Sequence, residues 1–308
     1  MIPFLLNLGL LILSIFLLWK GSEWLVESAA RIGRRFNMSD MTIGLTIVAF
    51  GTSAPEFAVT ISAAISGKAD ISVGNIVGSN IFNLGFILGG CALFAALKAS
   101  RAAVYRDGAV LIGTSIVLLL MLSDHHLAWW EGVILFSCLI GYVLLLFTRK
   151  SAPDEELPAG IATWKDWPLL LAGLAGVVGG GHFLVESASE IARFMGVSEW
   201  VIAVTIVAAG TSAPEFATSL MAAARGRHGM SLGNLVGSDL FNLLGVLGLA
   251  GMIRNMDVTP GAISSVAMLS GMCFLAVLFM RTGWRISRWE GGLLVGVGLT
   301  RWILDFAT

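Results

Sequence analysis

The chain has 308 residues, 56% of them hydrophobic and only 13% charged, with a mean hydropathy of +0.86. A soluble domain of this size carries about 25% charged residues, so the composition excludes a water-soluble globular protein. The formal net charge of −1 gives no footing for nucleic-acid binding, and Cys91, Cys138 and Cys273 lie scattered in apolar segments, without the paired spacing of a disulfide frame or metal knot.

Apolar runs near the length of about 20 residues that crosses a bilayer recur from end to end and predict ten spans. The first, 3–30, has no basic start and no cleavage signal, so it reads as a retained helix. The second, 40–66, holds GTSAPEF (Gly51–Phe57) at its middle, and the third, 71–97, holds GNIVGSNIFN (Gly74–Asn83). Spans at 103–123 and 127–148 follow. Residues 149–165, rich in proline and charge, form a linker too short for a soluble domain. Beyond it lie 166–194, 199–224 with a second GTSAPEF (Gly210–Phe216), 230–253 with GNLVGSDLFN (Gly233–Asn242), 260–281 and 287–306.

Assigning alternate loops to alternate sides puts Arg31, Arg34, Arg35, Lys98, Arg101, Arg106, Arg149, Lys150, Lys165, Arg225, Arg227, Arg281, Arg285 and Arg288 on one side. The other receives Lys68, Arg193, Arg254 and Arg301; Lys20 falls inside the first span. Lysine and arginine collect on the cytoplasmic face, so both termini are expected outside the cytoplasm.

A shift of 159 residues aligns the two motif copies without a gap, and 27 of 47 positions from Ile43 to Gly89 match Ile202 to Gly248. That identity marks a duplication, which divides the chain into a first five-helix repeat (1–148), the linker and a second repeat (166–308). Five spans reverse the chain across the membrane. The expected fold is therefore an all-α polytopic membrane protein of ten transmembrane helices in two inverted five-helix repeats. Secondary transporters are built this way, with ion sites at the repeat interface.

Within the second span, Pro55 has no N–H, and its ring clashes with the carbonyl of Gly51. The helix is expected to break, as is the seventh at Pro214, releasing the carbonyls of Ala49, Phe50 and Gly51. Inside a bilayer such carbonyls require protein, water or an ion. Ser53 and Glu56 have the spacing of a capping box, and the new helix start favours the ionised glutamate. Carbonyls, the Thr52 and Ser53 hydroxyls and one carboxylate make a hard-oxygen site for Na+ or Ca2+. A simple capping box that repairs a kink is the alternative; an ionisable group at mid-helix costs about 2.5–3.5 kcal/mol, and here there are two, Glu56 and Glu215.

On the third span Asn75, Ser79 and Asn83 recur at steps of four, matched by Asn234, Ser238 and Asn242 on the eighth. The glycine pairs Gly74/Gly78 and Gly233/Gly237 permit close helix approach. Asn75 and Asn234 read either as ligands or as helix-to-helix hydrogen bonds. Inversion should bring Glu56 and Glu215 together, where like charges in low dielectric call for cations.

The doubled GTSxPE and GNxxGSNxxN segments on ten spans resemble the Ca2+/cation antiporter superfamily, specifically its prokaryotic Na+/Ca2+ exchangers. The resemblance implies transported Na+ and Ca2+, no covalent cofactor, no enzymatic activity and a monomer in the lipid bilayer of a prokaryotic inner or plasma membrane. It makes Glu56 and Glu215 the central ligands and gives Thr52 and Thr211 backbone oxygens for Ca2+. Ala49, Ser53 and Ser79 would line one outer Na+ position, Ala208, Ser212 and Ser238 the other, with Asn83 and Asn242 at the equatorial corners. The first and sixth spans would slide past the remaining eight.

Two departures stand out. The family can carry an acid at one equatorial corner, whereas both corners here are Asn; the extra acid is Asp239, opposite Asn80. Asp239 either faces the ion path and changes the charge exchanged, or packs behind it. The chain also lacks the glutamate-bearing second motif of proton-coupled relatives, which leaves an H+- or K+-coupled exchange of Ca2+ or another divalent cation as the alternative. Glu23, Glu27, His182, Glu186 and Glu190 read as interfacial residues, and His125 and His126 as a solvated loop. A membrane enzyme is disfavoured because Ser53 and Ser212 lack a base nearby in sequence and no HExxH motif occurs; a channel shares the broken-helix pattern.

Overall fold

The computed structural model describes residues 2–148, 160–198 and 202–307. Helix α1 (Ile2–Arg35) ends on Arg34 and Arg35, whose charges suit a helix C-terminus. Ser39 then caps α2 (Asp40–Ile43), accepting the Thr42 N–H at 3.1 Å. A π-helical turn (Gly44–Val48), α3 (Ala49–Thr52) and α4 (Ala54–Ile65) complete one element, bent by 52° at Ser53. Helix α5 (Ala69–Phe82) passes through a π turn (Asn83–Leu88) into α6 (Gly89–Phe94). Strand β1 (Leu97–Lys98), a π turn (Ala103–Gly108), α7 (Ala109–Met121), β2 (His126–Leu127) and α8 (Trp129–Thr148) follow.

The second half runs α9 (Asp166–Phe194), a π turn (Ala203–Val207), α10 (Ala208–Gly210) and α11 (Ala213–Ala224). It continues through α12 (His228–Leu240), a π turn (Phe241–Val246), α13 (Leu247–Ile253) and β3 (Met256–Asp257). Helix α14 (Pro260–Arg281), β4 (Arg285–Ile286) and α15 (Arg288–Ala307) end the fold. Among the described residues, seven helices are long and apolar enough to cross a membrane, or eight when the bent pair counts as one span. The chain is thus a multi-pass, mostly helical membrane protein. The predicted span 199–224 begins outside the described residues, as do the linker residues 149–159 with Arg149 and Lys150.

Burial separates centre from periphery. Within an apolar stretch of 18 residues taken from each, Ala69–Phe94 and His228–Ile253 are 72% and 78% buried, against 17% for the first helix and 22% for Asp166–Phe194. The motif-bearing helices are therefore wrapped by the rest, while α1 exposes apolar side chains along its first half, from Leu5 to Trp19, and buries much of the remainder, and α9 exposes Leu171 and Phe183. Those two helices pack on each other through glycine: a Cβ on Gly21 would stand 2.9 Å from the Gly176 carbonyl carbon, and one on Gly173 2.6 Å from the Leu25 nitrogen. Two antiparallel strand pairs, β1 with β4 and β2 with β3, join segments from opposite halves of the chain.

Candidate ion site

The bend at Ser53 follows from Pro55, which has no proton to offer the Gly51 carbonyl. The expected release of three carbonyls is only partly met. Ala49 O still accepts the Ser53 N–H at 3.1 Å and the Thr52 hydroxyl at 3.4 Å, because the chain closes one last α-turn before it deflects. Nor does the serine cap its own helix: neither Ser53 nor Ser212 makes a side-chain cap hydrogen bond. Ser53 Oγ donates to Glu215 Oε1 at 3.1 Å and Ser212 Oγ to Glu56 Oε1 at 3.1 Å. The two helix starts meet head to head, and each serine serves the glutamate of the other half. A capping box that repairs a kink does not describe this geometry.

The remaining predicted donors gather round the same point. Ser79 Oγ donates to Glu56 Oε1 at 3.0 Å and lies 2.9 Å from Ser212 Oγ. The resemblance grouped Ser79 with Ser53; the crossing of the helix starts pairs it with Ser212 instead. Thr52 Oγ1 donates to Asn234 Oδ1 at 3.3 Å and stands 3.5 Å from Ser238 Oγ. Thr211 occupies the matching break, its N–H on Val207 O at 3.2 Å. Ala49 is buried against this cluster's helix; Ala208 begins α10, and its side chain lies outside the described residues.

Asn75 and Asn234 prove to be braces. Asn75 Nδ2 donates to Glu56 O (3.3 Å) and Thr60 Oγ1 (2.9 Å), and Asn234 Nδ2 to Glu215 O (3.5 Å) and Ser219 Oγ (2.9 Å). Thr60 and Ser219 went unread in the sequence, although both carry a hydroxyl one turn after the glutamate at matched positions. Asn83 Nδ2 donates to Asp239 Oδ1, Asn80 Nδ2 to Asp239 O and Asn242 Nδ2 to Asn80 Oδ1, each at 3.0 Å.

Glu56, Glu215, Asn83, Asn242, Ser53, Ser212, Ser238 and Thr52 have no solvent exposure, and Ser79 only 6%. Four acceptor atoms of this group, Glu56 Oε2, Glu215 Oε2, Asn83 Oδ1 and Asn242 Oδ1, are buried without a donor. Leaving a buried polar atom unsatisfied costs about 1–3 kcal/mol, more when it is charged. Among the described residues no three His, Cys, Asp or Glu side chains gather as a metal cluster. The donors here are carboxylate, amide and hydroxyl oxygens, which suit hard cations.

The glycine pairs behave unequally. A Cβ on Gly233 would lie 2.4 Å from Met41 O, and one on Gly237 2.6 Å from Leu45 Cα, so α12 sits directly on the first half-helix. A Cβ on Gly74 or Gly78 would meet nothing within 4 Å. Among the described residues the expected close approach is made on one side only: the Gly44–Val48 turn covers that face of α12, whereas the stretch that repeats it has side chains outside the described residues.

The peripheral acids stay off the cluster. Glu23 and Glu27 take the Arg225 guanidinium, the latter at 2.6 Å, while Glu186 lies 3.8 Å from His182 and Glu190 2.5 Å from Arg193. His126, expected in a solvated loop, lies in β2 with Nδ1 2.6 Å from Asp257 Oδ1.

A family model described as sodium/calcium exchanger protein matches residues 6–148 and again 165–297. The chain is 35% identical over 295 residues to the putative antiporter CaxA of Alkalimonas amylolytica, covering 91% of this chain and 92% of that one. It is 31% identical to the sodium/calcium exchanger MaX1 of Methanosarcina acetivorans, with 94% and 95% covered. Its fold matches the sodium-calcium exchanger NCX_Mj, from crystals soaked with 10 mM Na+ and zero Ca2+, at a TM-score of 0.87 and 32% identity over 99% of both chains.

Proposed function

The chain belongs to the sodium/calcium exchanger family, and on that premise we propose that it exchanges Na+ for Ca2+ across a prokaryotic inner or plasma membrane. It is a transporter of cations by family, and the finer reading concerns coupling, site and mechanism. The observation that carries it is the set of donorless buried oxygens on Glu56, Glu215, Asn83 and Asn242. A cation bound among them would partner all four, neutralise the two glutamates and remove a cost the protein otherwise bears.

In this reading Glu56 and Glu215 are shared by Ca2+ and Na+, and Asn83 and Asn242 take the equatorial corners. Thr52 and Thr211 offer backbone oxygen, and Ala49, Ala208, Ser53, Ser212, Ser79 and Ser238 surround the outer Na+ positions. Competition for one cluster makes the exchange obligatory. The ten spans form two inverted repeats, 1–148 and 166–308, joined by the linker 149–165 and acting as a monomer. Two observations support that division: the family model matches once on each side of the linker, and matched polar residues make matched contacts, Asn75 to the Glu56 carbonyl and Asn234 to the Glu215 carbonyl. Alternating access is supported by the unequal glycine pairs: among the described residues the first half-helix packs tightly on Gly233 and Gly237 while Gly74 and Gly78 keep open space, and that open face would close in the other state. With basic loops facing the cytoplasm, both termini lie outside it.

In proteoliposomes, an outward-directed Na+ gradient is expected to drive uptake of radiolabelled Ca2+. Glu56→Gln and Glu215→Gln should each abolish it while the protein remains monodisperse in detergent. Uptake that ignored Na+ and followed a pH or K+ gradient would replace the coupling ion, and near-normal uptake in both variants would remove the site.

A further inference from the structure

Asn83 and Asn242 can serve a cation only if each turns its oxygen, not its NH2, toward the cluster. An amide alone has no preference, since oxygen and nitrogen occupy nearly the same space. What decides it lies one layer out, at the matched positions Asn80 and Asp239. Asp239 Oδ1 accepts the Asn83 amide, and a carboxylate has only lone pairs to offer. The Asp239 backbone carbonyl, equally unable to donate, accepts the Asn80 amide, which leaves Asn80 Oδ1 as the acceptor for Asn242 Nδ2. Both chains therefore end with the Asn83 and Asn242 oxygens left over, and both atoms are buried without donors, as is the second oxygen of Asp239, Oδ2.

We infer that Asp239 and Asn80 are positioning residues: they cross between the halves to hold the two corner amides oxygen-inward, Asp239 acting on Asn83 and Asn80 on Asn242. The inference rests on the exchanger reading and deepens it. It also accounts for the departure at position 239. With Asn at both matched positions, the Asn83 pair could flip as a unit and turn its NH2 toward the cation. A carboxylate removes that second arrangement. In this role the aspartate acts through an amide by its Oδ1. Its Oδ2 is buried without a donor, and the double variant of Asn83→Ala with Asp239→Leu separates a direct contact of that oxygen with the cation from positioning.

The test is equilibrium Ca2+ binding to purified protein in Na+-free buffer. Asp239→Leu should weaken apparent Ca2+ affinity about tenfold or more, the size of effect that loss of an outer hydrogen-bond partner has at metal sites. Asp239→Asn keeps an acceptor oxygen and should recover most of that loss. Asn83→Ala should weaken binding by itself, and adding Asp239→Leu to it should change nothing further. Thermal melts of the four proteins establish that each is folded, and Asp239→Asn, the mildest change, carries the comparison if Asp239→Leu is not. Additive losses in the double variant, or an Asp239→Asn as weak as Asn83→Ala, would overturn the positioning role in favour of a direct role for the charge. A wild type that binds no Ca2+ would overturn the exchanger reading, and the inference with it.

Discussion

Ser53 and Ser212 hold matched places in the two broken helices, and each gives its hydroxyl to the other half's glutamate. The residue types were legible: hydroxyl, proline and acid repeated at one spacing inside an apolar run identify a polar cluster that hydrocarbon cannot satisfy. The partnership was not, because spacing along one helix favours the local Ser–Glu cap, and only the meeting of two helix starts supplies the crossed partner. The same limit applies to Asp239, whose partners Asn83 and Asn80 lie 156 and 159 positions away in the chain. Ser212→Ala removes one donor from Glu56 Oε1 but leaves Ser79 in place. It should therefore weaken exchange less than Glu56→Gln, with half-saturating Ca2+ raised severalfold and folding unchanged, as read from Ca2+-dependent uptake and a thermal melt.

Among the elements, long helices were predicted within a few residues, as in 166–194 for Asp166–Phe194 and 260–281 for Pro260–Arg281. Their internal winding was not. The π turns Gly44–Val48 and Ala203–Val207 fall on the same positions of the two repeats, and Asn83 and Asn242 each lie at or next to the start of another. Wide turns of this kind gather at functional sites, but no residue type announces them. Tight and open glycines divide in the same way. Gly237→Ala would push a methyl to 2.6 Å from Leu45 Cα, and such overpacking should cost about 1–3 kcal/mol, lowering the melting temperature in detergent. Gly78→Ala has room and should melt like the parent. If that face closes during exchange, as proposed, the same substitution should slow uptake while Ca2+ binding stays intact; equal uptake would mean that the face never closes.

For the whole molecule, the ion pairs are uneven. Arg225, just past α11, holds Glu23 and Glu27 of α1, and Arg31 of α1 holds Asp166 of α9 at 2.6 Å. At the positions that repeat Glu23 and Glu27, His182 and Glu186 are largely exposed and lie 3.8 Å from each other. Exposed pairs contribute little to stability, about 0–1 kcal/mol, so Arg225→Gln should melt almost normally. If α1 moves relative to α11 during exchange, the substitution should raise turnover at saturating Ca2+ without altering Ca2+ affinity in detergent; an unchanged rate would argue that this contact persists throughout the cycle.

The short strands bear on the same motion. Strands β1 and β2 lie at opposite ends of α7, and β3 and β4 at opposite ends of α14, so the pairs β1–β4 and β2–β3 stitch the two halves at both rims. A bundle hooped top and bottom resists shear. The glycine-seamed couple α1 and α9 belongs to neither hoop, so a shift of that couple along the bundle would break no strand pairing.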